Sequence, residues 1–238
     1  MINKELFKEE IISLIRDLYD SQKDNINQMA ELIADCVMHD GVIHIFASGH
    51  SISMGIELKD RIGSLVPIHI MDMNDFVSKG GVSLEEFTDK NNIFERREGM
   101  AERLYDLYDI RENDIFILVS NSGINGIVID YAKLARDNGH KIIVITSMKH
   151  TLSEDSRHPS GKKLYEFGDV VVDNMGPHGD AFFETDGIIK VCSVSSITND
   201  IIGEAAIIRA IEIMKDKGYE IPLVDENRTY YRHYEGRI

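Results

Sequence analysis

Short, continuous apolar runs alternate along the chain with longer amphipathic stretches. The apolar runs lie at residues 42–47, 66–71, 115–119, 141–147 and 169–173. Runs of this length predict β-strands that are covered on both faces. The stretches between them carry apolar residues at helical spacing, and strands that alternate with helices pair in parallel through right-handed crossovers. The pattern therefore predicts an α/β fold, a three-layer αβα sandwich around a five-stranded parallel sheet.

Additional helices are predicted at both ends of this unit. Within about residues 1–40, two apolar stripes predict two helices, with Asp24 as the N-cap of the second. Residues 188–215 predict one long apolar helix, and residues 218–238 form a polar tail. The length of 238 residues favours a single domain over the whole chain, 1–238.

Two of the predicted strands run into loops of small polar residues, each followed by a helical pattern. The loops consist of Ser48, Gly49, His50 and Ser51, and of Ser120, Asn121, Ser122, Gly123, Ile124 and Asn125. Unpaired N–H groups and the positive end of a helix favour an anion, so each loop is a candidate phosphate site. Simple helix capping is the alternative use of these residues. The helix after the first loop is predicted to reach Leu65. Both loops fall at the carboxyl edge of a parallel sheet, where ligands of such sheets bind.

Neither loop is G-x-G-x-x-G or a Walker loop, which disfavours dinucleotide and nucleoside triphosphate binding. The pair GHS at 49–51 and SNSGIN at 120–125 resembles the SIS (sugar isomerase) domain of phosphosugar isomerases and phosphosugar-binding regulators. The resemblance covers roughly residues 26–217 and implies the flavodoxin-like SIS fold. It also implies that Ser51, Ser120, Ser122 and Asn125 contact a phosphate, with Asn125 in place of the family's usual threonine.

An isomerase of this kind needs a base that moves a proton between adjacent carbons. The candidates are Glu57, on the helix after the first loop, and Glu98, in an E-G pair that resembles the catalytic glutamate of N-acetylmuramic acid 6-phosphate etherases. Phosphoheptose isomerases place a metal-binding histidine at about the position of Glu57, so their zinc arrangement is not expected here. We predict no metal and no cofactor.

Two later loops are predicted to bring more groups to the same edge. The connection 148–168 is long and rich in His, Ser and Lys, and loops of this length are usually functional or disordered. It supplies Arg157, His158, Ser160 and Lys162, and the loop after the fifth strand supplies His178 and Asp180. Of these, His158, Lys162 and His178 are the candidates for assisting catalysis. A tolerated surface loop is the alternative for the long connection.

Composition narrows the partners and the compartment. The chain has 26 Lys and Arg against 41 Asp and Glu, a net charge of −15. That charge argues against nucleic acid and anionic membrane as partners, and it means that a phosphate must be attracted by local amides and hydroxyls. There is no apolar stretch of about 18 residues and no signal-peptide core. The only cysteines, Cys36 and Cys192, show neither metal nor disulfide spacing, which predicts a cytoplasmic protein.

Taken with the resemblance, these residues predict a protein that binds a phosphorylated sugar. Aldose–ketose isomerisation through an enediolate is the expected reaction. The alternatives are an etherase-like lyase acting on a phosphorylated amino sugar, or a phosphosugar sensor without turnover. A sensor normally carries a partner module such as a DNA-binding domain, and nothing in this chain is basic or helix-turn-helix in character. The resemblance also implies a homo-oligomer, a dimer or tetramer.

Overall fold

The computed structural model describes residues 3–47, 49–79, 81–93, 97, 99–184 and 189–238. Its main sheet has five parallel strands in the order β2-β1-β3-β4-β5. The strands are β1 (Ile43–Ala47), β2 (Ile68–Met71), β3 (Ile115–Val119), β4 (Lys141–Thr146) and β5 (Val170–Asp173). All four strand pairs are parallel. The predicted five-stranded parallel sheet is therefore confirmed.

Helices cover both faces of this sheet. They are α1 (Lys4–Met38), α2 (Ser53–Leu58), α3 (Asp75–Ser78), α4 (Leu84–Phe87), α5 (Met100–Tyr105), α6 (Gly126–Asp137), α7 (Met148–Ser153) and α8 (Ser195–Asp216). Alternate strand residues point to opposite faces. Ile117 packs in the apolar cluster with α1 and α8, whereas Phe116 and Leu118 pack in the cluster with α5 and α6. The predicted three-layer αβα sandwich is thus confirmed.

The N-terminal region forms one helix, so the prediction of two helices with an N-cap at Asp24 was wrong. The polar stretch around residues 20–25 contains neither Gly nor Pro, and nothing in it breaks the helix. The stretch is polar because it meets the carboxyl end of β5, where Oε1 of Gln22 accepts a hydrogen bond from the Asp173 N–H at 3.0 Å. The side chain of Asn3 caps the helix start.

The helix after the first loop also differs from the prediction, because it ends at Leu58 and does not reach Leu65. Asp60 and Gly63 both have positive φ, which a helix does not allow. Residue 65 instead forms an isolated antiparallel bridge with Leu223 of the C-terminal tail. The apolar residues of this segment therefore pack against the C-terminal tail.

A small hairpin replaces the predicted first part of the last helix. Strands β6 (Ala181–Glu184) and β7 (Lys190–Ser193) pair antiparallel, with Phe183 opposite Val191. The helix begins only at Ser195 because the carboxylate of Asp180 accepts hydrogen bonds from the N–H groups of Val194 and Ser195, at 3.2 and 2.9 Å. An apolar sequence alone does not distinguish a strand from a helix over such a short segment.

The C-terminal tail packs on its own chain at the amino edge of the sheet. Tyr234, in the 3₁₀-helix Tyr231–Tyr234, is buried with Val42 and Val66. The Arg237 guanidinium donates hydrogen bonds to the buried carboxylate of Asp114 at this edge, at 2.6 and 2.8 Å. Within the described part of the chain, no helix combines the length and apolar character that crossing a membrane requires.

Candidate functional site

The two polar loops follow neighbouring strands of the sheet. β1 and β3 are paired, with Ala47 opposite Val119 at their carboxyl ends. The chain leaves β1 towards β2 on one side and leaves β3 towards β4 on the other. The strand order therefore reverses between β1 and β3, and a crevice opens outside the carboxyl ends at such a switch point. Residues 49–51 and 120–125 follow these two carboxyl ends.

Hydrogen bonds within the second loop fix its shape. Oγ of the buried Ser120 accepts from the Gly123 N–H at 3.1 Å, and the Gly123 carbonyl accepts from the Leu164 N–H at 2.9 Å. The Ser122 hydroxyl is half-buried and has no hydrogen-bond partner among the described residues. Ser120 therefore shapes the loop, and Ser122 is the hydroxyl that remains available to a ligand.

Gly123 is required by both conformation and space. Its φ is +63°, and a Cβ atom would lie 3.0 Å from Oγ1 of Thr146 and 3.1 Å from Oγ1 of Thr151. We expect Gly123→Ala to lower the free energy of unfolding by about 1–3 kcal/mol more than Gly139→Ala does. Gly139 is the matched control because its φ is +85° and nothing lies within 4 Å of its Cβ position. Equal losses for both variants in urea unfolding would contradict a packing role for Gly123.

The long connection after β4 folds over the second loop. Oδ1 of Asn125 accepts from the Arg157 guanidinium at 2.9 Å, and the Arg157 N–H donates to the Ile124 carbonyl at 3.0 Å. The Asn125 side chain does not cap α6. This amide thus holds a cation beside the start of α6, where a phosphate would lie. The predicted direct contact between Asn125 and a phosphate stays a prediction.

The first loop forms the 3₁₀-helix Gly49–Ile52 and leads into α2. His50 is exposed, and the half-buried Ser51 has no hydrogen-bond partner among the described residues. Ser48 lies outside the described residues. Beside Gly49 opens a cavity of about 340 Å³, lined also by Met73, Phe87, Thr88, Asp89, Lys90 and Ile93. A cavity of this size is large enough for a small ligand.

A buried chain of amides ties the second loop to β5 and α8. The Nδ2 group of Asn174 donates to Oδ1 of Asn121 at 3.1 Å and to Oδ1 of Asn199 at 3.0 Å. The Gly176 N–H donates to Oδ1 of Asn174 at 2.9 Å. Sequence analysis named Asn121 only. Asn174 and Asn199 come from distant segments, and only the fold brings them to the same loop.

Three side chains form what we call the His–Glu–His cluster: His150, Glu154 and His178. Nε2 of His178 lies 2.7 Å from Oε1 of Glu154, and the two imidazole rings are 4.7 Å apart. Nδ1 of His150 is 3.5 Å from Nδ2 of Asn121 in the second loop. Burial and the nearby His178 lower the pKa of His150, and the hydrogen bond from His178 lowers the pKa of Glu154. Of the three residues, sequence analysis named only His178.

The other candidates from the two later loops have partners within the protein. Nε2 of His158 lies 2.8 Å from Oδ1 of Asp130 on α6, and Nδ1 lies 2.6 Å from Oγ of Ser160. The Lys162 ammonium lies 5.4 Å from the centre of the Phe167 ring. The His158–Asp130 contact fastens the long connection to α6. Asp180 caps α8, as described above. A substrate role for these residues stays a prediction.

Of the two predicted bases, the structure describes only Glu57. Glu98 lies outside the described residues. Glu57 is half-buried, forms an ion pair with Arg61, and borders a surface cavity with Ile62, Gly63 and Glu204. Neither polar loop lines that cavity. The pair with Arg61 occupies the Glu57 carboxylate away from both loops, whereas a catalytic base is normally held in a closed site.

Asp200 and Ser53 are polar residues that sequence analysis missed. Oδ1 of Asp200 on α8 and Oγ of Ser53 on α2 are buried without a hydrogen-bond partner in the described part of the chain. Burial and the neighbouring Glu204 raise the pKa of Asp200. In the sequence, Asp200 is an acidic residue within an apolar helical pattern. Such a residue also fits a solvent-exposed position, so the sequence did not single it out.

Comparison with known proteins identifies the family. The SIS domain pattern matches residues 6–147 of this chain. The chain belongs to the SIS domain family. Among its SIS relatives, a UPF0309 protein of Listeria monocytogenes is 38% identical over 219 residues, which cover 91% of this chain and 87% of the relative. A UPF0309 protein of Halalkalibacterium halodurans is 33% identical over 214 residues, 88% of this chain and 85% of the relative.

Solved structures show the same SIS fold. The phosphoheptose isomerase of Neisseria gonorrhoeae superposes with a TM-score of 0.58 at 16% identity, covering 87% of this chain and 96% of that one. A phosphosugar isomerase homologue of Bacteroides fragilis, described as involved in capsule formation, superposes with a TM-score of 0.54 at 16% identity, covering 98% and 95%. At such identities the likeness shows the fold alone. The predicted SIS resemblance and fold are confirmed.

Proposed function

We propose that this SIS protein binds a phosphorylated sugar in the crevice between β1 and β3. The observation that carries the proposal is the placement of both Ser/Gly loops at the carboxyl ends of two adjacent strands, at the point where the strand order reverses. Each loop leads into a helix, whose first N–H groups are unpaired and favour a phosphate. SIS domain membership supports the same conclusion.

The phosphate would be held by Ser51, Ser122 and the N–H groups at the start of α6. Arg157, fixed by Asn125, adds a positive charge beside this position. A local cation matters here because the whole chain carries a net charge of −15 and repels anions. Binding at the unreactive phosphate end positions the rest of the sugar for reaction.

The sugar end would lie towards the His–Glu–His cluster, which Asn121 connects to the second loop. Aldose–ketose isomerisation is the reaction that we propose. A base removes the proton next to the carbonyl, the enediolate forms, and the proton returns to the former carbonyl carbon while a hydroxyl proton moves to the carbonyl oxygen. Glu98 and Asp200 are the groups to test as base. The exposed ion pair of Glu57 makes it the weakest candidate.

We also propose a cytoplasmic location and a homo-oligomer. The location is supported by two cysteines that form no disulfide, Cys36 being buried and Cys192 exposed. The oligomer follows from the family resemblance given above.

The phosphosugar site is tested by thermal shift with hexose, amino-sugar and heptose phosphates, muramic acid 6-phosphate, and NAD as a control. We expect one sugar phosphate class to raise the melting temperature, since a ligand of the folded state stabilises it. Ser122→Ala should weaken binding of that ligand by about 10- to 100-fold, the value of a hydrogen bond to a charged group. Ser13→Ala, on the exposed face of α1, is the matched control and should leave binding unchanged.

The same panel separates the remaining functions. A bound sugar phosphate that is converted to its ketose or aldose isomer supports the isomerase. Release of lactate from the muramic acid compound supports the lyase, and binding without any turnover supports the sensor. A shift with NAD and none with any sugar phosphate would overturn the proposal.

A further inference from the structure

The His–Glu–His cluster has the composition and spacing of a metal site. One ligand atom from each of His150, Glu154 and His178 lies within 4.8 Å of the other two. We propose that these three side chains bind one divalent transition-metal ion of the zinc type. Two imidazoles and one carboxylate are the protein ligands of several catalytic zinc sites, in which water takes the fourth position.

The distances allow binding after small side-chain rotations. Ligands of a tetrahedral zinc ion are about 3.4 Å apart, since each bond is about 2.0–2.2 Å. The observed pair of Nε2 on His178 and Oε1 on Glu154 is closer than this, at 2.7 Å, because it forms a hydrogen bond. A metal ion would take the place of the shared proton. The side chains of His178 and Glu154 are 55% and 41% exposed, so an ion has a direct path from solvent.

The backbone around the cluster is held in place from two directions. Oγ of Ser147 accepts from the His150 N–H at 3.0 Å and donates to the Gly176 carbonyl at 2.6 Å. The same serine therefore joins the helix that carries His150 to the loop that carries His178. Asn121 lies 3.5 Å from Nδ1 of His150 and provides a polar neighbour to that ring. The two hydrogen bonds of Ser147 fix the backbone from which both histidines extend.

The donor set selects the class of metal. Ca²⁺ and Mg²⁺ prefer sites made of oxygen ligands, whereas imidazole suits zinc, nickel, copper and iron. The site is also separate from the position of Glu57, where phosphoheptose isomerases place a metal-binding histidine. Its existence does not depend on the proposed sugar reaction, because the ion is expected to bind in the absence of sugar.

The test uses the untagged full chain after treatment with a chelator. Isothermal titration calorimetry measures the binding of Zn²⁺, and the visible absorption bands of Co²⁺ measure the binding of that ion. We expect one Zn²⁺ per chain, a four- or five-coordinate Co²⁺ spectrum, and no binding of Mg²⁺ at the same concentration. His150→Ala, Glu154→Gln and His178→Ala should each weaken Zn²⁺ binding at least about tenfold, because each removes one ligand.

His233→Ala is the matched control, because His233 forms an exposed pair with Asp40 at 3.0 Å, at the amino edge of the sheet. It should bind Zn²⁺ as the wild type does. Far-ultraviolet circular dichroism establishes that each variant is folded. Absence of stoichiometric Zn²⁺ binding, or unchanged affinity in all three ligand variants, would overturn the metal site. Failure of every sugar phosphate to bind would overturn the proposed function and leave the metal site standing.

Discussion

Asp114→Asn is expected to lower the free energy of unfolding by about 3–5 kcal/mol, the range found when one partner of a buried ion pair is removed. The Asp114 side chain is fully buried, and its carboxylate accepts from Arg237 at 2.6 and 2.8 Å and from Nε2 of His44 at 3.1 Å. It also accepts from the N–H groups of Val42 and Arg111, both at 2.8 Å.

The asparagine keeps the shape of the side chain but not its charge. Arg237 is 8% exposed and would then hold an uncompensated positive charge. Release of the C-terminal tail from the amino edge of the sheet is the expected structural consequence. Urea unfolding followed by circular dichroism measures the loss, and limited proteolysis measures exposure of the tail.

Asp109→Asn is the matched control for this variant. Asp109 also pairs with an arginine, Arg111 at 2.5 Å, but both side chains are more than half exposed. Exposed pairs of this kind contribute little to the free energy of unfolding, because solvent screens the two charges. A loss for Asp114→Asn no larger than that for Asp109→Asn would show that the buried network does not hold the tail.

The second large effect is a loss of stability as the pH falls below about 6.5, the ordinary pKa of histidine. Burial lowers the pKa of His44, His69 and His140, and that of His69 falls to about 3. His44 lies 3.0 Å from His69, and Tyr105 lies 2.8 Å from His140. The nearby charges are Asp114 and Arg237 around His44, and Lys59, Lys79 and Asp75 around His69.

The sign follows from proton binding. A histidine with a lowered native pKa stays neutral in the folded protein while the unfolded chain takes up a proton below pH 6.5, so acid favours unfolding. Above pH 6.5 the stabilisation is fully present. For His69 it is lost progressively between about pH 6.5 and 3, with a slope of up to about 1.4 kcal/mol per pH unit.

Urea unfolding at pH 8, 6, 5 and 4.5 measures this dependence. His69→Asn removes one titrating group while keeping a hydrogen-bond donor near His44, and it should reduce the slope below pH 6 by about 1 kcal/mol per pH unit. His39→Asn, at the exposed end of α1, is the control and should leave the slope unchanged. A wild-type stability that is constant between pH 8 and 4.5 would contradict the prediction.

The sequence predicted the sheet because its short apolar runs alternate with helical patterns, which is typical of parallel strands joined by helices. It also predicted α6, whose end is marked by Asn138 and by Gly139 with its φ of +85°. The sequence-based prediction was wrong where an apolar pattern is compatible with both a helix and a strand. The first residues of the predicted last helix, up to residue 194, continue its apolar pattern, but the cap from Asp180 and the pairing of β7 with β6 decide the outcome.

The site was predicted in part for the same reason. The two loops could be found because each is contiguous in sequence and follows a strand. Arg157 could be identified only as a cation in a loop, and its bond to Asn125 depends on how about 20 residues of connection fold back. Asn174 and Asn199 gave no signal, since a buried amide network is defined by contacts between distant segments.

By itself, the sequence determined the α/β layering and the two Ser/Gly loops, because both depend on short-range order: apolar runs that must be buried, and small residues that begin a helix. Only the tertiary structure decided which strands are neighbours, where the tail lies, and that His150, Glu154 and His178 meet. His150 and Glu154 follow β4, whereas His178 follows β5, and they come together because the carboxyl ends of β4 and β5 are paired, with Thr146 opposite Asp173. Long-range pairing of this kind is a property of the packed sheet.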